Sequence, residues 1–219
     1  MQERSDFPEY LIQWFRAEGR DFPWRNTNDA YKVLLAEKLL QQTSVRESLI
    51  NSYRVILDRY PTPANLAAAL IDELTVLIKP LGLFYRAKDL VLMAKDINEK
   101  FDGVVPSDLQ QLLSLYGVGD YSARAVMSFA YGKDIAVVDT NVARILYRIF
   151  GIEGKFPQNP ARSRKLINLA TDLIPIGSSK EFNLGMIDLG ALICLPRKPL
   201  CTKCPINVFC KFHLFQSHD

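Results

Sequence analysis

Four cysteines, the chain's entire complement, fall within one short stretch: Cys194, Cys201, Cys204 and Cys210, spaced C-x6-C-x2-C-x5-C. Thiols this close in sequence can surround a single centre with no help from distant segments. The stretch must therefore turn back on itself as a tight lobe. Three chemistries use such a quartet. A zinc ion takes four thiolates in a tetrahedron. Zinc sites usually present two close pairs on separate knuckles, however, and here only Cys201 and Cys204 are that close. Two disulfides suit a reducing compartment worst. The unequal outer spacings favour a cubane iron–sulfur cluster.

The rest of the chain fits an intracellular setting. No apolar run approaches the ~20 residues that span a bilayer, so no membrane association is expected. The start, Met1-Gln2-Glu3-Arg4-Ser5-Asp6, lacks the basic and apolar regions of a secretory leader. These features predict a soluble protein of the cytoplasm or nucleoid. The 219 residues suffice for one large or two small domains. The net charge is only +3, but residues 194–213 carry Arg197, Lys198, Lys203 and Lys211 and no acid. That locally basic lobe is either a solvated surface or a contact for an anionic partner.

Apolar residues recur at helical spacing almost throughout. Tyr10-Leu11 with Trp14 and Phe15 form an early stripe, and Val33 to Leu57 continues it. Pro61 and Pro63 interrupt the pattern before Ala64 to Leu70 restarts it. Further helices are predicted over 72–78, 85–101, 108–115, 121–131, 141–150, 161–174 and 181–192. No hairpin of strands is signalled. Ile135 to Val138 is the best strand candidate, and it is short and isolated. The prediction is an all-α chain of about ten helices with short connections.

Two segments between these helices carry chemistry. Leu115-Tyr116-Gly117-Val118-Gly119-Asp120-Tyr121 reads as a tight turn between two helices. Its glycines let backbone approach a ligand, and the second helix opens with unpaired N–H groups that suit a phosphate. Any helical hairpin can use glycines, so this signal alone is weak. About twenty residues later comes Val137-Val138-Asp139-Thr140-Asn141-Val142. An Asp at the start of a helix is ordinarily an N-cap.

Taken together, the hairpin, Asp139 and the cysteine quartet resemble the endonuclease III and MutY branch of the helix-hairpin-helix DNA glycosylases. The resemblance runs from about Phe22 to Cys210. It implies a [4Fe–4S] cluster on the four cysteines. It also implies that Arg197 and Lys198, in the loop between the first two cysteines, meet DNA phosphates without reading sequence. The hairpin, with Gly117, Val118 and Gly119, becomes a DNA grip. Tyr116 stands where the family's L-P-G-V-G motif has proline, a change expected to loosen the turn. Asp139 falls on the essential carboxylate, which stabilises the positive charge that develops on the deoxyribose as the N-glycosidic bond breaks. Asn141 matches a polar partner of that carboxylate. Tyr121 occupies the position where bifunctional relatives carry a nucleophilic lysine. A phenol cannot form a Schiff base, so a monofunctional enzyme with little or no lyase activity is implied.

Glu37 sits among apolar neighbours and resembles the Glu that protonates or hydrogen-bonds the flipped base, a role that suits a buried carboxyl. Arg25, in Phe22-Pro23-Trp24-Arg25, is expected to support the same pocket. Gln41, Gln42 and Thr43 match the turn that enters the minor groove. Leu83 and Phe84 match the opposite wedge, which inserts beside the orphaned base, although core packing is an equal reading of them. The resemblance further implies two helical domains flanking a DNA-binding cleft: a six-helix barrel over 28–137, with the hairpin motif at about 107–131, and an iron–sulfur cluster domain from 1–27 with 138–219.

The expected partner is double-stranded DNA with a mismatched or damaged base, met by a monomer. Gln41-Gln42-Thr43 is similar to MutY-type adenine glycosylases, which act opposite 8-oxoguanine. Those normally carry a further C-terminal domain, whereas this sequence ends nine residues after Cys210. Phe182-Asn183-Leu184-Gly185 and Pro196-Arg197-Lys198-Pro199 resemble the compact Mig type. Thymine or uracil opposite guanine is therefore the expected substrate, with adenine opposite 8-oxoguanine as the alternative. A non-catalytic iron–sulfur DNA-binding protein is the remote third reading.

Overall fold

The computed structural model describes residues 6–41, 43, 45–82 and 84–216. Every regular element among them is helical, with no strand. In chain order the α-helices are α1 (Phe7–Glu18), α2 (Ala30–Leu40), α3 (Glu47–Arg59), α4 (Pro63–Ala67), α5 (Ile71–Ile78), α6 (Arg86–Phe101), α7 (Leu109–Leu113), α8 (Asp120–Phe129), α9 (Thr140–Phe150), α10 (Arg164–Thr171), α11 (Ser179–Leu192) and α12 (Lys211–Gln216). No helix among the described residues is long and apolar enough to cross a membrane.

The helix starts are written in the sequence. Asp29 caps α2 by accepting from the N–H groups of Tyr31 and Lys32. Asp108 does the same for α7 with Gln110 and Gln111. Thr62 caps α4 through the Asn65 N–H, just ahead of Pro63 at the first helical position. Gly151 ends α9 in the left-handed conformation at φ 59°.

Two compact units result: Phe22–Tyr131, and Met1–Asp21 together with Gly132–Asp219. Their edges lie a few residues before those expected at 28 and 137. Trp24 explains the first shift. It is buried, with its ring edge-on to Tyr53 at 5.2 Å, so the Phe22-Pro23-Trp24-Arg25 segment packs with α2 and α3. Asp134 and Ile135 explain the second. Asp134 accepts from the Gly177 N–H, and the Ile135 carbonyl accepts from Asn183 Nδ2 at 2.9 Å.

Within Phe22–Tyr131, α2 packs against α8, α4 and α5 against α6, and α7 against α8. The α7–α8 pair is the predicted hairpin. Within the other unit, α1 and α9 both pack on α11. Their core gathers Phe7, Leu11, Val142, Ile145, Leu146, Phe182, Met186 and Leu189. Arg16 of α1 holds Glu181 of α11 by a bidentate pair at 2.9 and 2.8 Å. Asp188 is fully buried, and Arg20 satisfies it through both backbone and guanidinium at 2.8 Å.

The segment 135–138 has no regular structure and, among the described residues, no sheet partner. Asn183 takes that partner's place: its Oδ1 accepts from the Val137 N–H at 2.9 Å while its Nδ2 donates to Ile135. One buried amide of α11 thus satisfies backbone groups that a neighbouring strand would otherwise pair.

Candidate functional site

Asp139 is the N-cap of α9, as its position in the sequence suggests. Its Oδ1 accepts from the Val142 N–H at 2.7 Å and its Oδ2 from Asn141 Nδ2 at 2.9 Å. The carboxylate is half-buried. Both oxygens are held, and the helix start adds its positive end. The cap and the candidate catalytic group are one and the same side chain. Gly190 of α11 lies directly behind: a Cβ there would come within 2.7 Å of Asn141 Cβ. The sequence reading missed this contact, because a glycine inside a helix carries no mark of what passes over it.

In Phe22–Tyr131, Glu37 lies on the buried side of α2 at 6% exposure. Tyr121 is half-buried in the first turn of α8, the helix against which α2 packs. Arg25 lies over the ring of Phe22, which stacks on Trp24. Gln41 donates to Ser122 Oγ at 3.3 Å. Thr43 spends its hydroxyl on the Leu39 carbonyl at 2.6 Å. Phe84 is 58% exposed, so the core-packing reading fails for it. Gln42 and Leu83 lie outside the described residues. In the hairpin, Gly117 has a φ of 66°, a conformation glycine adopts without strain. Gly119 is extended and exposed ahead of α8. Val118 is buried.

Tyr116 also gives the hairpin turn a bond that the family's proline could not make. The Tyr116 N–H, which a proline lacks, donates to Asp96 Oδ2 at 2.7 Å.

All four cysteines line one cavity, together with Arg148, Ile193, Pro199, Asn207, Phe212 and His213. Among the described residues, no three His, Cys, Asp or Glu side chains converge as ligands of a single metal ion. Burial pushes the Cys204 thiol up to about 12, and raises Cys210 and Cys201 as well. Two arginines of α9 hold the lobe in place. Arg144 donates to the carbonyls of Cys194 and Gly190, both at 2.9 Å. Arg148 donates to Cys194 Sγ at 3.2 Å, to Leu195 O at 2.7 Å and to Pro196 O at 2.8 Å. Its guanidinium also lies over the Phe212 ring. Arg197 and Lys198, next along this anchored loop, are exposed.

The sequence pattern of the HhH-GPD superfamily of base excision DNA repair proteins matches residues 35–171. The chain belongs to this superfamily. The match begins midway along α2 and takes in the hairpin, Asp139 and all of α9. Thymine-DNA glycosylase of Aeropyrum pernix is 41% identical over 93% of this chain and 92% of its own length. Thymine/uracil-DNA glycosylase of Pyrobaculum aerophilum is 39% identical over 95% and 92%. The solved structure of a thermostable thymine-DNA glycosylase superposes with a TM-score of 0.90 at 34% identity, covering 98% of both chains. The HhH-GPD fold thus extends through both units of this protein.

Proposed function

We propose that this HhH-GPD protein is a monofunctional mismatch glycosylase that removes thymine or uracil opposite guanine. The observation that carries the reading is the fixed Asp139 carboxylate, held by Asn141 and Val142, in a chain about 40% identical to thymine and thymine/uracil glycosylases over nearly its full length. In the reaction the bond between the sugar C1′ and the base nitrogen breaks, and its electron pair leaves with the base. The sugar acquires oxocarbenium character, which the Asp139 carboxylate stabilises. Water supplies hydroxide to C1′ and the departing base takes up a proton. Glu37, buried on α2, is assigned to that proton. Tyr121 offers no amine, so the abasic strand stays intact.

We assign the cysteine cavity to a [4Fe–4S] cluster, on the unequal C-x6-C-x2-C-x5-C spacing of four soft donors that line one space. When bound, such a cluster supplies a rigid brace and a redox-capable centre. Arg144 and Arg148 orient the loop that carries Arg197 and Lys198, and these two cations are assigned to phosphate contacts.

Single-turnover base release from duplexes holding T·G, U·G, A·G and A·8-oxoguanine tests the reading. Thymine and uracil release is expected, with strand breaks only after alkali. Release of adenine alone overturns it in favour of the MutY type, and no release from any duplex favours a non-catalytic protein.

A further inference from the structure

Lys38 follows Glu37 on α2, yet it is only 3% exposed. Lysines are rarely that deep unless they are paired. Its ammonium donates to the Gly117 carbonyl at 2.6 Å and reaches Gln41 Oε1 at 3.4 Å. Gln41 passes the contact on to Ser122 Oγ. Arg86 of α6 fixes the Lys38 backbone by donating to its carbonyl at 3.0 Å. The left-handed Gly117 leaves room for this arrangement, since a Cβ there would meet Lys38 Nζ at 2.9 Å.

A second set of contacts reaches the same turn from α6. Asp96 accepts from the Tyr116 N–H at 2.7 Å and pairs with Lys100 at 2.8 Å. Lys100 in turn donates to the Ser114 carbonyl at 3.1 Å. Side chains from two helices therefore hold three backbone groups of a single turn. Charge-assisted bonds of this kind are roughly twice as strong as neutral ones. A proline at 116 would fix φ but offer no N–H to Asp96.

We propose that Lys38 and Asp96 are positioning residues of the DNA grip: they fix the 114–119 turn, so that the start of α8 meets a backbone phosphate in a set orientation, and Lys38 ties that turn to Gln41. The inference rests on the reading that this hairpin contacts DNA.

The test is binding of a fully paired duplex across a salt series by the intact protein, which reads the grip apart from the chemistry. Lys38→Met and Asp96→Ala should each weaken binding about 10-fold and lower the salt slope by about one phosphate contact. Adding Tyr116→Pro to Asp96→Ala should recover most of that loss, because proline stiffens the turn without needing an acceptor. Loss of melting temperature alone, with the wild-type salt slope kept, overturns the proposal, as does a double variant no better than Asp96→Ala. Asp96→Ala probes the turn from α6 if Lys38→Met does not fold. Base release by the same proteins separates the two readings. A wild type that releases no base while the slope losses appear defeats only the functional reading. Thymine or uracil release with unchanged slopes in both variants defeats only this one.

Discussion

The Asn141 amide donates to Asp139 Oδ2 at 2.9 Å while the Val142 N–H occupies Oδ1 at 2.7 Å. The carboxylate is thus oriented before any substrate arrives, which is what electrostatic stabilisation of a developing cation requires. Asparagine caps a helix about as well as aspartate. Asp139→Asn should therefore keep the α9 cap while removing the charge and the acceptor for the Asn141 amide. Single-turnover base release is expected to fall by at least about 10²-fold, with the melting temperature nearly unchanged. A rate close to wild type would remove Asp139 from the chemistry.

Gly190 offers a way to disturb the same carboxylate from behind. A Cβ at this position would lie 2.7 Å from Asn141 Cβ and 3.3 Å from Ile145 Cδ1. Asn141 cannot yield without loosening its bond to Asp139. Gly190→Ala should cost about 1–3 kcal/mol of stability through overpacking and slow base release as well. Denaturant melts paired with single-turnover rates check both parts. Unchanged values for both would show that the helices separate freely there.

The loop after Cys194 predicts a salt signature. Arg197→Ala and Lys198→Ala should each reduce the slope of log affinity against log salt by about 1, whatever the DNA sequence. Arg148→Gln should lower the same slope without removing a phosphate contact of its own, because Leu195 and Pro196 lose their anchor. It should also lower the iron and sulfide recovered per chain. Full iron content together with the wild-type slope in Arg148→Gln would contradict the anchoring role.

Tyr31 makes stability fall in alkali. Its hydroxyl donates to the Tyr60 carbonyl at 2.8 Å, and burial, followed by the nearby Asp29, raises its pKa above the ordinary phenol value. A folded pKa above the unfolded one contributes stability that is complete below pH about 10. That contribution fades as pH rises through the folded value. Tyr53 is raised by the same causes and acts in the same direction. Tyr31→Phe should cost about 1 kcal/mol near neutrality, through the lost hydrogen bond, and should soften the alkaline decline. Urea midpoints on either side of pH about 10 measure this, and an equally steep decline in Tyr31→Phe would assign the effect elsewhere.

Local chemistry was legible in the sequence, and long-range pairing was not. Asp139 announced a helix start, and the helix predicted over 108–115 opened at Asp108, because a cap acts on its own next turn. The glycine turn and the cysteine quartet were visible for the same reason. Nothing local in the sequence marks Lys38 as buried, since its carbonyl partner is 79 residues away. The hold of Arg148 on the cysteine loop spans 46 to 48 residues. The unit edges shifted because Trp24 and Ile135 answer to partners on other helices, Tyr53 and Asn183. Asn183 was noticed only as part of a motif, although its amide replaces a strand.

The pairing of α1 with α11 also sets an order of assembly. Arg16 and Glu181 lie 165 residues apart, whereas Phe22–Tyr131 is one continuous stretch. As the chain is made from its N-terminus, that stretch can fold while synthesis continues. The first helix must wait, its Phe7 and Leu11 unburied, until α11 has been made. A nascent chain therefore holds a finished hairpin well before the unit carrying Asp139 can close around its core.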